Sequence, residues 1–368
     1  VMAHHNLDQS KKEKPIVLEH TITQIHVEES TRIEDDDENN STDHPTEDDY
    51  KVDSLFYNIC YFCFILGVNF YRNRSPQLRC ISLIIITINC CINIYFVGYV
   101  IYVTLTKPFE AERVAVSISR TTWVVQATLA TLFVAWWQYT SQPCRILHLL
   151  YQANKGLGIQ KKRKNLIRLL QTFYLVVAAC VCYDFSLIIA NIYGANFGYA
   201  DPDIPKIFGD RRYFIIFQLS CLYSILCWTV AIYIFALLIL ATNYEFVYYN
   251  EQVRSIECNN ECQTDEALCD YLLKLIKIHN RLTECVNLLD KMFNRYAFIL
   301  LATIIPSTIF SLYMVVHKPK DSLCWELFFS LPLVLFCVFS FFALVNAPSK
   351  LHDTIYNTKS ALCANTHI

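Results

Sequence analysis

Long apolar stretches separated by short polar connectors fill the chain from Cys80 to Val345. A helix needs about 20 mostly apolar residues to cross a hydrocarbon layer roughly 30 Å thick. The stretches of sufficient length are 80–105, 118–140, 166–194, 213–242, 296–316 and 323–345. The pattern therefore predicts an all-α fold, a polytopic membrane bundle with six spanning helices.

A further apolar segment, 55–71, is shorter and is interrupted by Asn58 and Asn69. It either spans the membrane or enters it and returns to the same side. Residues 1–54 contain acidic runs and few apolar side chains, so they cannot bury enough surface to offset chain entropy. We predict a disordered acidic tail at 1–54, a membrane bundle at 55–345 and a tail at 346–368.

The basic residues of the connectors predict the orientation, because Lys and Arg in short loops are retained on the cytoplasmic side. The connectors rich in Lys and Arg are 72–79, 141–165 and 243–295, and the poorer ones are 106–117, 195–212 and 317–322. Loops 141–165 and 243–295 and the tail 346–368 are therefore expected to be cytoplasmic. The N-terminal tail lies outside if 55–71 spans and inside if 55–71 is re-entrant.

The connector before residue 296 carries an unbroken heptad pattern. We call these positions the seam; they are Leu268, Tyr271, Leu275, Ile278, Leu282, Cys285, Leu289, Met292 and Tyr296. Thr264 supplies an N-terminal cap, and the two acidic residues after it favour the first helical turn. We predict a helical extension, 264–296, that continues into the membrane and packs through the seam against its own chain or a second subunit.

Composition narrows the function classes. The chain is 54% hydrophobic and 17% charged, which is outside the usual range of soluble proteins. Most of its 368 residues lie in or beside the apolar segments, so no separate soluble domain is expected. Most of its 17 cysteines lie in or beside apolar segments, where Cys acts as a small hydrophobe. The loop cysteines Cys258, Cys262 and Cys269 are unevenly spaced for zinc. Known catalytic motifs are absent. We expect no enzyme activity, no metal or cofactor, and no nucleic-acid partner.

Asp184 lies inside an apolar segment, where a carboxylate is costly unless it faces the interior, finds a partner or is protonated. We expect its side chain to point inward, in the outer half of the bundle, where Arg120 and Gln126 also lie. A pair between Arg120 and Asp184 is sterically plausible. It would either hold the helices together or bind a ligand or ion.

The outer half also contains aromatic residues and polar side chains, a mixture that lines pockets for small organic ligands. The candidate pocket residues are Arg120, Trp123, Gln126, Tyr183, Asp184, Gln218, Tyr223, Trp228, Trp325 and Glu326. Taken singly, aromatic residues near a membrane surface are commonly anchors. Pro306 and Pro332 fall inside the last two apolar segments and are candidate helix kinks.

The region from about 213 to 368 resembles the invertebrate gustatory-receptor family, the insect taste receptors with their odorant-receptor and nematode relatives. A long connector ends in the helix HNRLTECVNLLDKMFNRYAFILL (279–301); an outer turn, an apolar segment and the polar stretch NAPSKLHDTIYNTKSAL (346–362) follow. The resemblance implies a cytoplasmic N-terminus and a re-entrant 55–71. It also implies a plasma-membrane chemosensory receptor, a ligand-gated cation-channel subunit that detects small molecules within a homo- or hetero-oligomer, by resemblance a tetramer, surrounded by membrane lipid.

One departure from the family pattern concerns its last, pore-lining helix. No such helix follows Val345, so we expect either a fragment or a variant that would not conduct alone. Two other function classes stay open. A spanning 55–71 would give seven helices, as in a G-protein-coupled chemoreceptor. A secondary transporter would show internal repeats, and we find no convincing one.

Overall fold

The computed structural model describes Cys63, Leu66 and residues 76–192, 214–259, 265–316 and 323–365. In chain order, the helices formed by these residues are α1 Pro76–Thr106, α2 Ala111–Thr140, α3 Gln142–Asn154, α4 Leu157–Lys161, α5 Arg163–Ile192, α6 Phe214–Asn259, α7 Asp265–Val316 and α8 Leu323–Asn365. The predicted tail 1–54 and, apart from Cys63 and Leu66, the segment 55–71 lie outside this part of the chain.

Five of the described helices contain a stretch long and apolar enough to cross a membrane. These stretches are Cys80–Thr106, Arg163–Ile189, Phe214–Ser255, Glu266–Tyr313 and Val334–Thr358. The predicted all-α, multi-pass membrane fold is confirmed. The expected span 118–140 is not among the five, although α2 has 30 residues. Polar side chains interrupt its apolar residues, and two of their hydroxyls bond to α7: Ser119 Oγ lies 3.1 Å from Ser311 Oγ, and Ser307 donates to Thr122 at 2.9 Å.

Helix α6 is the centre of the bundle and packs against each of the other seven described helices. Its apolar residues occur on every face, the pattern of a helix that is buried all round. Trp228, Phe235 and Phe246 are among its fully buried large side chains. The positions of the other helices are therefore set by their packing on α6.

The last three helices are much longer than a bilayer requires. At 1.5 Å per residue, α6, α7 and α8 are about 69, 78 and 65 Å long, against roughly 30 Å of hydrocarbon. Residues 265–296 and the apolar segment that follows form one continuous helix, α7. Pro306 lies inside α7, and Pro332 and Pro348 lie inside α8, without ending either helix.

The bundle boundary expected at residue 345 falls in the middle of α8, which continues to Asn365. Hydrogen bonds hold this continuation against α6. Thr354 Oγ1 donates to Asn243 Oδ1 and Thr358 Oγ1 donates to Asn250 Oδ1, each at 2.7 Å. Leu351 is buried beside them. The polar stretch 346–362 thus includes a contact surface for another helix.

The basic connector 141–165 contains α3, which packs against α6 and α7, and α4, which packs against α6. Lys161 pairs with Glu251 at 2.5 Å, and Arg145 pairs with Glu284 at 3.3 Å. Both pairs are solvent-exposed, so each contributes about 0–1 kcal/mol. The two connectors richest in basic residues therefore fold together at one end of the bundle.

The seam lies mostly inside the chain. Its seven residues from Leu275 to Tyr296 are buried, whereas Leu268 and Tyr271 are partly exposed. Tyr296 packs against Trp137 with ring centroids 5.1 Å apart. Cys285 Sγ donates to the carbonyl of Ile146 on α3 at 3.6 Å. Between Leu275 and Tyr296, the seam contacts helices of its own chain.

A matched pair of substitutions tests which face of α7 is the packed one. Ile278 is 6% exposed and Ile276 is 56% exposed. We expect Ile278→Val to destabilise the chain by about 1 kcal/mol, because it removes a buried methylene, and Ile276→Val to change stability by less than about 0.5 kcal/mol. Denaturant unfolding of the purified protein in detergent measures both. A larger loss for Ile276→Val would contradict the assignment.

Candidate functional site

A cavity lies between α1, α2, α5 and α6. It sits near the start of α2 and α6 and the end of α5, in the half of the bundle distant from α3 and α4. Its walls are formed by Asn93, Phe96, Arg120, Trp123, Val124, Ala127, Tyr183, Asp184, Leu187, Phe217, Gln218, Cys221, Ser224 and Ile225. Its lining combines aromatic and apolar surfaces with a few polar side chains, the combination found in pockets for small organic molecules.

Two opposite charges share this cavity. Asp184 on α5 is only 2% exposed, and its charge interacts with that of Arg120 on α2. Arg120 also hydrogen-bonds to the Tyr183 phenol. Asp184 Oδ2 has no hydrogen-bond partner among the described residues. The structure therefore places Asp184 inside the bundle, beside a compensating charge, with one carboxylate oxygen left to accept a hydrogen bond.

Aromatic rings form much of the remaining wall. Trp123 packs edge-to-face against Trp228, with ring centroids 5.1 Å apart, and Trp228 packs against Phe336 on α8 at 4.7 Å. On the α1 side, Phe96 stacks on Phe217. Trp228 is fully buried behind Trp123 and does not line the cavity. The cavity therefore offers flat apolar surfaces beside its charged pair.

A buried polar network crosses from α1 to α6 at the cavity wall. Asn89 and Asn93 donate to Ser224 Oγ at 2.6 and 2.8 Å. Ser220 Oγ donates to Asn89 Oδ1 at 2.7 Å. Asn93 and Ser224 also line the cavity. Sequence reasoning missed this network. The signal in the sequence is a pair of polar residues in each of two apolar segments, Asn89 with Asn93 and Ser220 with Ser224. The members of each pair are four residues apart, so they lie on one face of their helix.

The cavity brings together Arg120, Trp123, Tyr183, Asp184 and Gln218 from the predicted pocket set. Gln126 is 1% exposed and lies outside the lining, and its side-chain amide has no hydrogen-bond partner in the described part of the chain. Tyr223 packs on the main core. Trp325 and Glu326 lie in the first turn of α8, and their side chains are outside the described set.

A second cavity lies between α5, α6 and α8. Its walls are almost wholly apolar, and Phe173, Tyr233 and Phe336 are among them. Specific small-molecule sites combine an apolar wall with a few placed polar groups. The first cavity meets that description better. Within the described residues, no group of three or more His, Cys, Asp or Glu side chains could hold a metal.

Comparison with known proteins gives one structural result. The sequence matches no protein-family model and none of the curated proteins searched. Among solved structures, it matches the insect olfactory receptor OR5 from Machilis hrabei, with a TM-score of 0.61 and 12% sequence identity, over 85% of this chain and 83% of that one. The chain has the fold of an insect olfactory receptor. This fold match confirms the polytopic helical architecture predicted from the apolar stretches, and it supports the resemblance to insect taste and odorant receptors.

The cavity could be predicted from the sequence only in part. The helices that surround it come from widely separated parts of the chain, and α1 contributes residues that were not among the predicted pocket set. At 12% identity, the match describes backbone arrangement only. The chemistry of the site must therefore be inferred from this chain's own side chains.

Proposed function

We propose that the chain is a chemosensory receptor, a ligand-gated cation-channel subunit that detects small molecules in the cavity between α1, α2, α5 and α6. The observation that carries the proposal is the cavity itself: apolar aromatic walls, a charged pair and a polar network inside an olfactory-receptor fold. The fold match favours this function over the G-protein-coupled receptor and the secondary transporter. The proposal assigns no enzymatic reaction to the chain.

We also propose that the protein lies in the plasma membrane with a cytoplasmic N-terminus and functions as a homo- or hetero-oligomer, by family resemblance a tetramer. An exposed apolar face on the extended part of α7 supports oligomerisation. Leu272, Leu273 and Ile276 are 42, 55 and 56% exposed there. An apolar face outside the bilayer favours contact with another protein surface. The exposed apolar side chains of α1, such as Ile84 and Leu105, would contact lipid.

Glycosylation mapping tests the orientation. Asn39 and Asn40 each begin an Asn-X-Ser/Thr acceptor sequence, and such sequences are modified only on the extracytoplasmic side. With a cytoplasmic N-terminus, neither should be modified in microsomes. A control acceptor sequence introduced into the connector 195–212 should be modified. Modification of Asn39 or Asn40 would support the seven-helix, G-protein-coupled alternative instead.

Electrical recording tests the channel function. Cells that express the chain together with a pore-forming subunit of the same fold should show a cation current evoked by a ligand shown to bind the purified protein. The current should persist when the recording pipette contains a GDP analogue that holds G proteins in their inactive state. A response that the nucleotide abolishes would assign signalling to a G protein. Ligand binding without any evoked current in these co-expressing cells would contradict the channel proposal.

A further inference from the structure

Within the described residues, the cavity wall contains one hydrogen-bond acceptor and two donors that are free to bind a ligand. The acceptor is Asp184 Oδ2, which has no hydrogen-bond partner in the described structure although Asp184 is 2% exposed. An unsatisfied buried carboxylate oxygen costs about 1–3 kcal/mol or more, so a ligand that donates to it recovers this energy. The structure therefore favours ligands that carry an O–H or N–H group.

The two free donors are the Trp123 indole N–H, which has no hydrogen-bond partner in the described structure, and the Ser224 hydroxyl. A hydroxyl oxygen has two lone pairs, and Ser224 Oγ accepts from Asn89 Nδ2 and Asn93 Nδ2, which fills both. Helical serines commonly donate to the carbonyl one turn earlier. None of the described hydrogen bonds uses Ser224 as a donor to such a carbonyl. Since Ser224 lines the cavity, its O–H is free to donate to a ligand oxygen.

The net charge of the cavity determines whether a charged amine or a neutral alcohol is the better ligand. Arg120 and Asp184 carry opposite charges within the same cavity, so the pair is neutral overall. An ammonium ligand would bring an uncompensated charge into a low-dielectric site, at a cost of several kcal/mol before any contact is made. A neutral hydroxyl donates to the carboxylate without adding charge, and its oxygen can accept a hydrogen bond.

We propose that the cavity selects small neutral alcohols or phenols, whose hydroxyl donates to Asp184 Oδ2 and whose apolar body lies against Phe96, Trp123 and Phe217. The Ser224 hydroxyl donates to an oxygen of the same ligand. This inference rests on the proposed function, in that it takes the cavity to be the receptor's ligand site. It assigns Asp184 as the residue that determines ligand class.

Binding to the purified full chain in detergent tests the proposal without any need for channel activity. The probes are benzyl alcohol, benzyl methyl ether and benzylamine, and the readout is the ligand-dependent rise in unfolding temperature. We expect the alcohol to bind about tenfold more tightly than the ether, the ratio for one hydrogen bond to a charged group. We expect the amine to bind more weakly than the alcohol. Equal binding of ether and alcohol, tighter binding of the amine, or no binding at millimolar concentration would overturn the proposal.

Two variants test whether Asp184 causes the preference for the alcohol over the ether. The double variant Arg120→Met, Asp184→Leu removes both charges together, which buried pairs often tolerate, and should bind alcohol and ether within about twofold of each other. The control Leu187→Val changes a lining residue three positions further along α5, with no polar group, and should keep the tenfold preference while weakening all probes alike. A preference retained in the double variant would exclude Asp184. A protein that prefers the alcohol but conducts no ligand-evoked current would contradict only the channel proposal.

Discussion

Gly158→Ala is expected to destabilise the folded chain by about 2–5 kcal/mol, through backbone overlap and the loss of a buried hydrogen bond. A Cβ atom at Gly158 would lie 2.5 Å from the carbonyl oxygen of Tyr244 and 2.9 Å from Cα of Glu245. These are backbone atoms of the central helix α6 and cannot rotate away. Helix α4 would have to move off α6.

The movement would also break a buried hydrogen bond. The backbone N–H of Ile159 donates to Glu245 Oε1 at 2.9 Å, and Glu245 is fully buried. Separation of the two helices would leave that carboxylate without this donor. We expect a large fall in folded yield on size-exclusion chromatography and a lower denaturant midpoint.

Gly98→Ala is the matched control for this prediction. A Cβ atom at Gly98, inside α1, would meet no other atom within 4 Å. Alanine is the better helix former, so this change should be neutral or stabilise the chain by up to about 1 kcal/mol. Equal stability of the two variants would show that α4 does not approach α6 as closely as described.

The contact at Gly158 shows where sequence reasoning ends. Membrane helices are recognised by local length and apolar content, and the seam by a local repeat of seven, so both were predicted from short windows of sequence. Gly158 and Tyr244 are far apart in the chain, and no local pattern links them. The same limit hid the roles of Asn89 and Asn93, because a polar residue in an apolar helix acquires its function from the helix opposite.

Sequence reasoning singled out candidate site residues that are physically anomalous by themselves. A carboxylate and a guanidinium within apolar segments must find partners, which directed attention to Asp184 and Arg120, and both line the cavity. Aromatic residues carry no such constraint. Trp123 lines the cavity whereas Trp228 is buried behind it, a difference set by tertiary packing. The hydroxyls of Ser119 and Thr122 on α2 likewise have partners on α7, which only the folded structure shows.

Arg120→Leu is expected to destabilise the chain by about 3–5 kcal/mol, because it leaves the buried Asp184 carboxylate without its compensating charge. The charge-swapped double variant Arg120→Asp, Asp184→Arg should recover a large part of this loss, since the opposite charges face each other again. Detergent-solubilised folded yield and denaturant unfolding measure both variants. A swap no more stable than the single variant would show that the two charges do not stabilise each other.

Arg145→Leu is the control for removal of an arginine as such. Its pair with Glu284 is exposed, with side-chain exposures of 64 and 48%, so the change should cost at most about 1 kcal/mol.

The charge-swapped variant Arg120→Asp, Asp184→Arg also distinguishes the role of Asp184 in stability from its role in ligand binding. It moves the carboxylate from α5 to α2, away from the position where a ligand hydroxyl would reach it. Recovered folding with a lost alcohol preference would therefore mean that Asp184 has two roles: with Arg120 it joins α5 to α2, and with its free oxygen it selects the ligand.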